Sequence, residues 1–177
     1  IRPPDWLCYA AAVLKRDGFD VELYDFIAHN WDKTKLEKLT REKNPDFVVL
    51  DSTTPSISSD IDCAKICKTV SGCKVIMVGT HATALASETL KSGQGNIDVI
   101  ALGEFDYTVS DIIRNFPSLD TVKGIAYLNN GEVKFTASRP TVEDLDSLPF
   151  PSWESIDIMK YFDAGRLYPY IDIIGGR

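Results

Sequence analysis

Three stretches of this 177-residue chain carry residue types suited to holding a small ligand. They are "DSTTPS" from Asp51, "GTHA" from Gly79 and "GEF" from Gly103. Ser52, Thr53 and Thr54 place three hydroxyls beside Pro55, and a hydroxyl both donates and accepts hydrogen bonds. Gly79, Thr80, His81 and Ala82 combine a residue without a side chain, a hydroxyl and an imidazole. Gly103, Glu104 and Phe105 set a glycine beside a carboxylate and a ring. Glycine lets backbone come close to a flat molecule, and an imidazole can brace a loop or ligate a metal. Small residues also suit tight turns for steric reasons alone, so the pattern points to a crevice without naming what fills it.

Each stretch ends a short apolar run: "DFVVLD" (46–51), "KVIMVGT" (74–80) and "IDVIALGE" (97–104). Continuous runs of this length are typical of parallel strands buried on both faces. The segments "IDCAKICKTVSG", "HATALASETLKSG" from about Ala82, and "YTVSDIIRNF" have the period of helices. Upstream, "WLCYAAAVLKRDG" predicts a helix whose apolar face is Leu7, Cys8, Ala11, Ala12 and Leu14, capped by Asp5 and ended by Gly18. "FDVELYDF" (19–26) predicts a short strand, and "DKTKLEKLTREKN" an amphipathic helix. Strands alternating with such helices predict right-handed crossovers and a parallel sheet.

In sheets of this kind ligands bind outside the carboxyl ends of the strands. All three stretches fall there, each followed by a helix N-terminus with free N–H groups. The expected fold class is α/β: a flavodoxin-like, doubly wound, Rossmann-like sheet of order 2-1-3-4-5. The central strand of that order should precede the first helix, where only four residues stand. That strand either lies ahead of Ile1 or is replaced by another segment. After Phe116 the pattern changes. "GIAYLNNGEVKFT" (124–136) alternates on both sides of Asn130-Gly131, a hairpin signal. "SRPTVEDLDSLPFPSWESID" then reads as an extended linker over the surface. The expected division is an α/β domain at 1–118, hairpin and linker at 119–150, and the start of a further domain at 151–177.

Net charge is −7, which argues against a nucleic-acid partner, since phosphate binding needs a Lys/Arg stripe. No run approaches the ~18 apolar residues that would cross a bilayer, and no secretory signal opens the chain. A cytoplasmic location is expected. Cys8, Cys63, Cys67 and Cys73 are read as small buried hydrophobes of a reducing compartment, ahead of a metal site or a disulfide. Trp6, Trp31 and Trp153 are read as packing residues. His29 is given no role.

Asp51 ends its strand where phospho-receiver domains carry an acceptor aspartate, and Thr80 fits their switch hydroxyl. A receiver also needs a lysine after the next strand, where Glu104 stands. A regulatory receiver-like module, with Asp51 as acceptor, is kept as the alternative reading.

Taken in order, "PP…LCYAAAVLKRDGFDVELYDF", "NPDFVVLDSTTPS", "VGTHAT", "IDVIALGEFDYTVSDII", "GIAYLNNGEV" and "VEDLDSLPFPSW" resemble one family. It is the N-terminal cobalamin-binding domain of B12-dependent radical S-adenosylmethionine proteins, the group that includes anaerobic Mg-protoporphyrin ester cyclases. The resemblance implies that residues 52–55, 79–82 and 103–105 face the corrin ring and its nucleotide tail. Thr53 and Thr54 would supply hydroxyls, Gly79 and Gly103 close approach, and Glu104 a polar contact or a loop brace. It implies a parent enzyme of methyltransferase or oxidative-cyclase type, with a [4Fe–4S] cluster and S-adenosylmethionine held by a C-x-x-x-C-x-x-C loop. That loop is expected just after "YIDIIGGR", the first strand of the catalytic barrel. The chain by itself is then not a catalyst. A D-x-H-x-x-G loop, whose His ligates cobalt in related domains, is not found near "IRPPDWLCYA", which leaves the lower cobalt face unassigned. The terminal strand, about 170–174, is expected to pair outside its own sheet, with a homodimer as one outlet.

Overall fold

The computed structural model describes residues 1–162, 165, 168–171 and 173. The chain divides into two compact units, Ile1–Trp31 with Val142–Arg177, and Asp32–Thr141. The expected terminal strand at 170–174 lies partly outside the described residues.

The first unit is built on helix α1, Asp5–Arg16. Seven consecutive residues, Cys8 to Leu14, are buried, so the helix is enclosed on all sides rather than along one stripe. Three alanines at 10–12 let neighbouring chain come close. Asp5 was expected as the cap; it is instead the first helical residue, following Pro4, where its charge suits the positive end of the helix dipole. The C-terminus closes as expected at Gly18. The Gly18 amide donates to the Lys15 carbonyl and the Phe19 amide to that of Leu14, both at 3.0 Å, with Gly18 at φ +90°.

The strand expected at 19–26 is not formed: residues 19–25 are irregular and 26–30 turn. Phe19, Val21 and Leu23 are half-buried between exposed Asp20 and Glu22, so the alternation is real. A strand also needs a ladder partner, and none occurs among the described residues. Asp25 fixes the turn. Its Oδ1 accepts from the amides of Ile27 and Ala28, and its Oδ2 from the hydroxyl of buried Tyr161 at 3.0 Å. Trp31 packs there against Phe26 and His29, whereas Trp6 is exposed.

The proline-rich connector is mostly exposed and carries 3₁₀ turns at Leu145–Ser147, Trp153–Ser155 and Ile158–Lys160. It is tied to α1 by the Lys15 ammonium, which reaches Ser152 Oγ, Glu154 Oε1 and Ser155 Oγ at 2.7–2.8 Å. The Ser152 amide donates to the Cys8 carbonyl at 3.0 Å. The hydrogen bond from Lys15 and a second from Ser152 hold the Glu154 carboxyl down to about 2.

A group lowered on folding stabilises above its unfolded value, 4.5 here, and loses that contribution as pH falls towards the folded value. The stability difference between the native chain and Glu154→Gln is therefore expected to be constant above about pH 5 and to shrink towards about pH 3. Urea midpoints across that range read it. The size should be small, because Glu154 is 69% exposed and solvent screens it.

The second unit carries the sheet. Helix α2, Lys33–Lys43, is capped by Asp32, whose side chain accepts from the Lys35 amide. It ends at Asn44 in the left-handed region. Then follow β1 (Phe47–Asp51), α3 (Ile57–Ser71), β2 (Lys74–Val78), α4 (Thr80–Ala84), α5 (Ala86–Ser92), β3 (Val99–Ala101), α6 (Asp106–Asn115), β4 (Ile125–Asn129) and β5 (Glu132–Phe135). The single helix expected from Ala82 is two, broken at Leu85.

β1, β2 and β3 are parallel, with Val49 opposite Ile76 and Ile76 opposite Val99. The hairpin does not stand apart. β4 pairs antiparallel with β3, Ile100 opposite Ala126, and β5 with β4. In the observed order β1-β2-β3-β4-β5, strands β1, β2 and β3 stand side by side as the last three strands of the expected 2-1-3-4-5 order do; the first two of that order are not formed among the described residues, and the hairpin extends the sheet beyond β3. The hairpin turns on Asn130 and Gly131, both at positive φ, as a two-residue turn requires.

The core is Val75 to Val78, Val99 to Ala101, Ile125 and Ala126, all fully buried. β1 has the same apolar character but is only half-buried, since among the described residues it pairs on one side only. Asp98 pins the layers together. Its Oδ2 accepts from the Val75 amide at 2.8 Å and the Lys68 ammonium at 2.6 Å.

α2 lies against α3, where the Thr40 hydroxyl meets Cys67 Sγ at 3.6 Å. All four cysteines are free thiols. Burial pushes Cys8 up to about 12 and Cys67 to about 11, so neither is a ready nucleophile. No described helix is long and apolar enough to cross a membrane.

Candidate functional site

Three parallel strands deliver their carboxyl ends to one edge of the sheet within the second unit. The loops that leave them are 52–56, 79 and 102–105, and each is locked by its own polar contacts.

In the first loop Ser52 faces inward and is fully buried. Its amide and its hydroxyl both donate to the Val78 carbonyl, at 3.0 and 2.9 Å. This hydroxyl staples β1 to β2 and is not offered to a ligand. Thr53 and Thr54 are exposed, as is Pro55. The Ser56 hydroxyl lies 2.9 Å from Thr53 Oγ1 and donates to Asp60 Oδ2 at 2.7 Å. Thr54 Oγ1 lies 3.2 Å from Nδ1 of His81. That contact joins the first loop to the second.

Gly79 sits at φ +99°, and a Cβ there would lie 2.2 Å from Asp51 Oδ1 and 2.4 Å from the Ser52 carbonyl oxygen. Its lack of a side chain is demanded by the neighbouring strand end. Thr80 is exposed, His81 half-buried and Ala82 fully buried.

Gly103 differs from Gly79. At φ +67°, a Cβ there would meet nothing within 4 Å. Open space lies over this loop. Its amide donates to the Thr83 hydroxyl at 3.1 Å, which ties α4 to the end of β3. The Glu104 carbonyl accepts from the Thr108 hydroxyl at 3.2 Å, and Phe105 is buried.

The edge is acidic. Burial raises the Asp51 carboxyl, opposed by a bond from the Ser52 amide. Burial also raises Asp60, opposed by the Ser56 hydroxyl, while the Asp51 charge adds to the rise. Among the described residues no cluster of His, Cys, Asp and Glu is arranged to hold a metal ion.

The structure therefore brings Thr53, Thr54, Thr80, His81, Gly103 and Glu104 to one edge, and turns Ser52, Ala82 and Phe105 inward. Ser56, Asp60 and Thr83 were missed from sequence. Ser56 and Asp60 stand four apart at a helix start, a spacing that marks neighbours on one face; Thr83 carries no such signal.

An α/β unit with small-residue loops at the carboxyl ends of adjacent parallel strands belongs to the open-crevice, Rossmann-like class of ligand-binding domains. The family model described as B12 binding domain matches residues 2–113, and the chain belongs to that family.

Over 167 residues it is 30% identical to the anaerobic magnesium-protoporphyrin IX monomethyl ester cyclase of Cereibacter sphaeroides, covering 90% of this chain and 27% of that protein. It is 28% identical to an uncharacterized methyltransferase of Pyrococcus horikoshii, covering 90% of this chain and 35% of that one. The chain thus spans about a third or less of these relatives.

Among solved structures, the cobalamin-dependent S-adenosylmethionine radical enzyme OxsB with aqua-cobalamin bound matches at TM-score 0.73 and 20% identity. That match covers 86% of this chain and 22% of OxsB. The radical S-adenosylmethionine methyltransferase TsrM from Kitasatospora setae, with cobalamin and a [4Fe-4S] cluster bound, matches at 0.69 and 15%, covering 80% and 29%. At these identities the likeness is one of fold.

Proposed function

We propose that the chain holds cobalamin with the corrin over the carboxyl ends of β1, β2 and β3, as the cofactor-binding part of a longer radical S-adenosylmethionine enzyme. The observation that carries the reading is the open space over Gly103, beside exposed Thr53, Thr54 and Thr80, in a chain of the B12-binding family. A planar macrocycle needs an uncluttered floor with backbone and hydroxyl groups at its rim, and the exposed Gly103, Thr53, Thr54 and Thr80 favour this edge for it. Bound cobalamin brings an organometallic cobalt centre able to carry a methyl group or take part in radical chemistry. The chain's own residues bind and orient it. The [4Fe–4S] cluster and S-adenosylmethionine are assigned to residues outside this chain, in a parent of methyltransferase or oxidative-cyclase type.

The direct experiment mixes the purified chain with hydroxocobalamin at roughly tens of micromolar, a range that detects Kd values of that order, and passes it through gel filtration. Corrin absorbance is expected to coelute with protein. Free elution of the corrin would reject the reading.

A further inference from the structure

We propose that the open edge of β5, together with the cavity between Leu85 and Phe135, is a docking surface for an extended segment of the same polypeptide beyond this chain, one that carries an apolar residue and, beside it, a Lys or Arg. The inference rests on the reading of a longer enzyme above, and not on where the corrin sits.

It begins with two side chains. Among the described residues, the large apolar side chains exposed on the second unit are Leu85 at 40% and Phe135 at 53%. They lie far apart in sequence and line one cavity of about 190 Å³, with Thr83, Ser87 and Glu88. Leu85 stands at the break between α4 and α5, where its backbone has φ −126° and ψ 41°. Phe135 stands on the last strand of the sheet. Small-molecule sites run to about 300–1,000 Å³, so this cavity is too small for a cofactor. One apolar side chain is an occupant of suitable size.

Beside the cavity the sheet has an open edge. The Thr136 amide donates to the Ile125 carbonyl at 3.1 Å, and the ladder continues with Lys134 opposite Tyr127 and Glu132 opposite Asn129. Bonded pairs alternate along an antiparallel ladder, so Lys134 and Glu132 also turn their backbone to β4. The amides and carbonyls of Val133 and Phe135 point away from it and make no hydrogen bond among the described residues. Such an edge is a template for an added strand. Alternate side chains share a face, so half-buried Val133 stands on the same face as Phe135.

Charge and size select the occupant. Glu88 at the rim is exposed and forms no ion pair among the described residues. A second copy of this chain would bring another Glu88 and a net charge of −7, which repels, whereas a Lys or Arg complements the rim. β5 has four residues, Glu132–Phe135, and is about 13 Å long. A partner arriving from solution needs about 1,200 Å² of buried surface for a stable complex, more than so short an edge and one side-chain socket offer. A tethered segment needs far less, because tethering gives it a millimolar effective concentration. The relatives have such additional chain, since this one spans 27% and 35% of two of them.

Hydrogen–deuterium exchange of the full-length gene product, read on residues 132–136 beside the 177-residue chain, tests the proposal. The amides of Val133 and Phe135 are expected to exchange at least about tenfold more slowly in the full-length protein than in the chain. Leu85→Ser and Glu88→Arg in the full-length protein should each return that exchange towards the rate of the chain. Thermal melts of the chain with the same changes should stay near the native midpoint. Should Leu85→Ser fail to fold, Glu88→Arg, at an exposed position, decides alone. Should the chain not fold by itself, native and variant full-length proteins carry the comparison. Equal exchange in the two native proteins would overturn the proposal, and so would protection that survives both substitutions. Slowing in the chain alone that grows with its concentration would overturn it too, by making a second copy the occupant. In all three cases the cobalamin reading stands. A gene product that ends with this chain overturns the reading of a longer enzyme, and this inference with it.

Discussion

Gly79→Val is expected to leave little folded protein, and Gly79→Ala to do almost as much damage. The reason is that the conflict arises at Cβ, which both side chains share. That atom would lie 2.2 Å from Asp51 Oδ1, 2.4 Å from the Ser52 carbonyl oxygen and 2.8 Å from the Ser52 nitrogen. The Asp51 carboxylate could swing aside. The Ser52 backbone cannot, because its amide and hydroxyl both hold the Val78 carbonyl and its own carbonyl accepts from the His81 amide at 3.4 Å. The position also sits at φ +99°, a conformation that L-residues reach only at a cost of about 1–2 kcal/mol. Overpacking against fixed backbone adds roughly 1–3 kcal/mol or more. Together these approach ~4 kcal/mol, against a total stability of about 5–15 kcal/mol for a domain. Chemical denaturation of Gly79→Ala measures it. A loss below about 1 kcal/mol would mean that the strand end yields and that Gly79 is not held by packing.

This result would separate two roles that the sequence presents identically. Gly79 and Gly103 each follow a buried strand and each read as a place for a ligand to approach. Composition cannot distinguish a glycine that a neighbouring strand demands from one that leaves space above it, because both require the same missing atom.

Ser52 illustrates a related limit. In "DSTTPS" it reads as one hydroxyl among three, but it turns inward, where it is fully buried and bonded to the Val78 carbonyl. The strands β2 and β3 were legible because Val75 to Val78 and Val99 to Ala101 are buried on every side, as continuous apolar runs imply. The segment 19–26 was misread because alternation specifies which side chains turn inward, while a strand also requires a partner that local sequence does not describe. The hairpin was legible from Asn130-Gly131, but not its docking on β3, since that depends on which sheet edge is free. The anchoring of the connector was not legible, because the single cation Lys15, 137 to 140 residues away, gathers Ser152, Glu154 and Ser155.

Gly103→Val is expected to behave in the opposite way to Gly79→Val: it should fold, and it should lose corrin. At φ +67° the substitution carries conformational strain of about 1–2 kcal/mol, and no atom within 4 Å opposes the new Cβ. The loop keeps its anchor, because the Gly103 amide still donates to the Thr83 hydroxyl. What changes is the space above the loop. An isopropyl group standing in it holds a flat ring away from the backbone, and contacts that depend on close approach are lost together rather than one at a time. A loss of about 1.4 kcal/mol is a tenfold change in affinity, and displacing a macrocycle from one of three loops should exceed that. Hydroxocobalamin titration of the folded variant, beside its thermal melt, reads both quantities. A melting midpoint that collapses while the remaining folded protein binds corrin as tightly as the native chain would make Gly103 a turn residue only. The corrin would then have to rest on Thr53, Thr54 and the second loop.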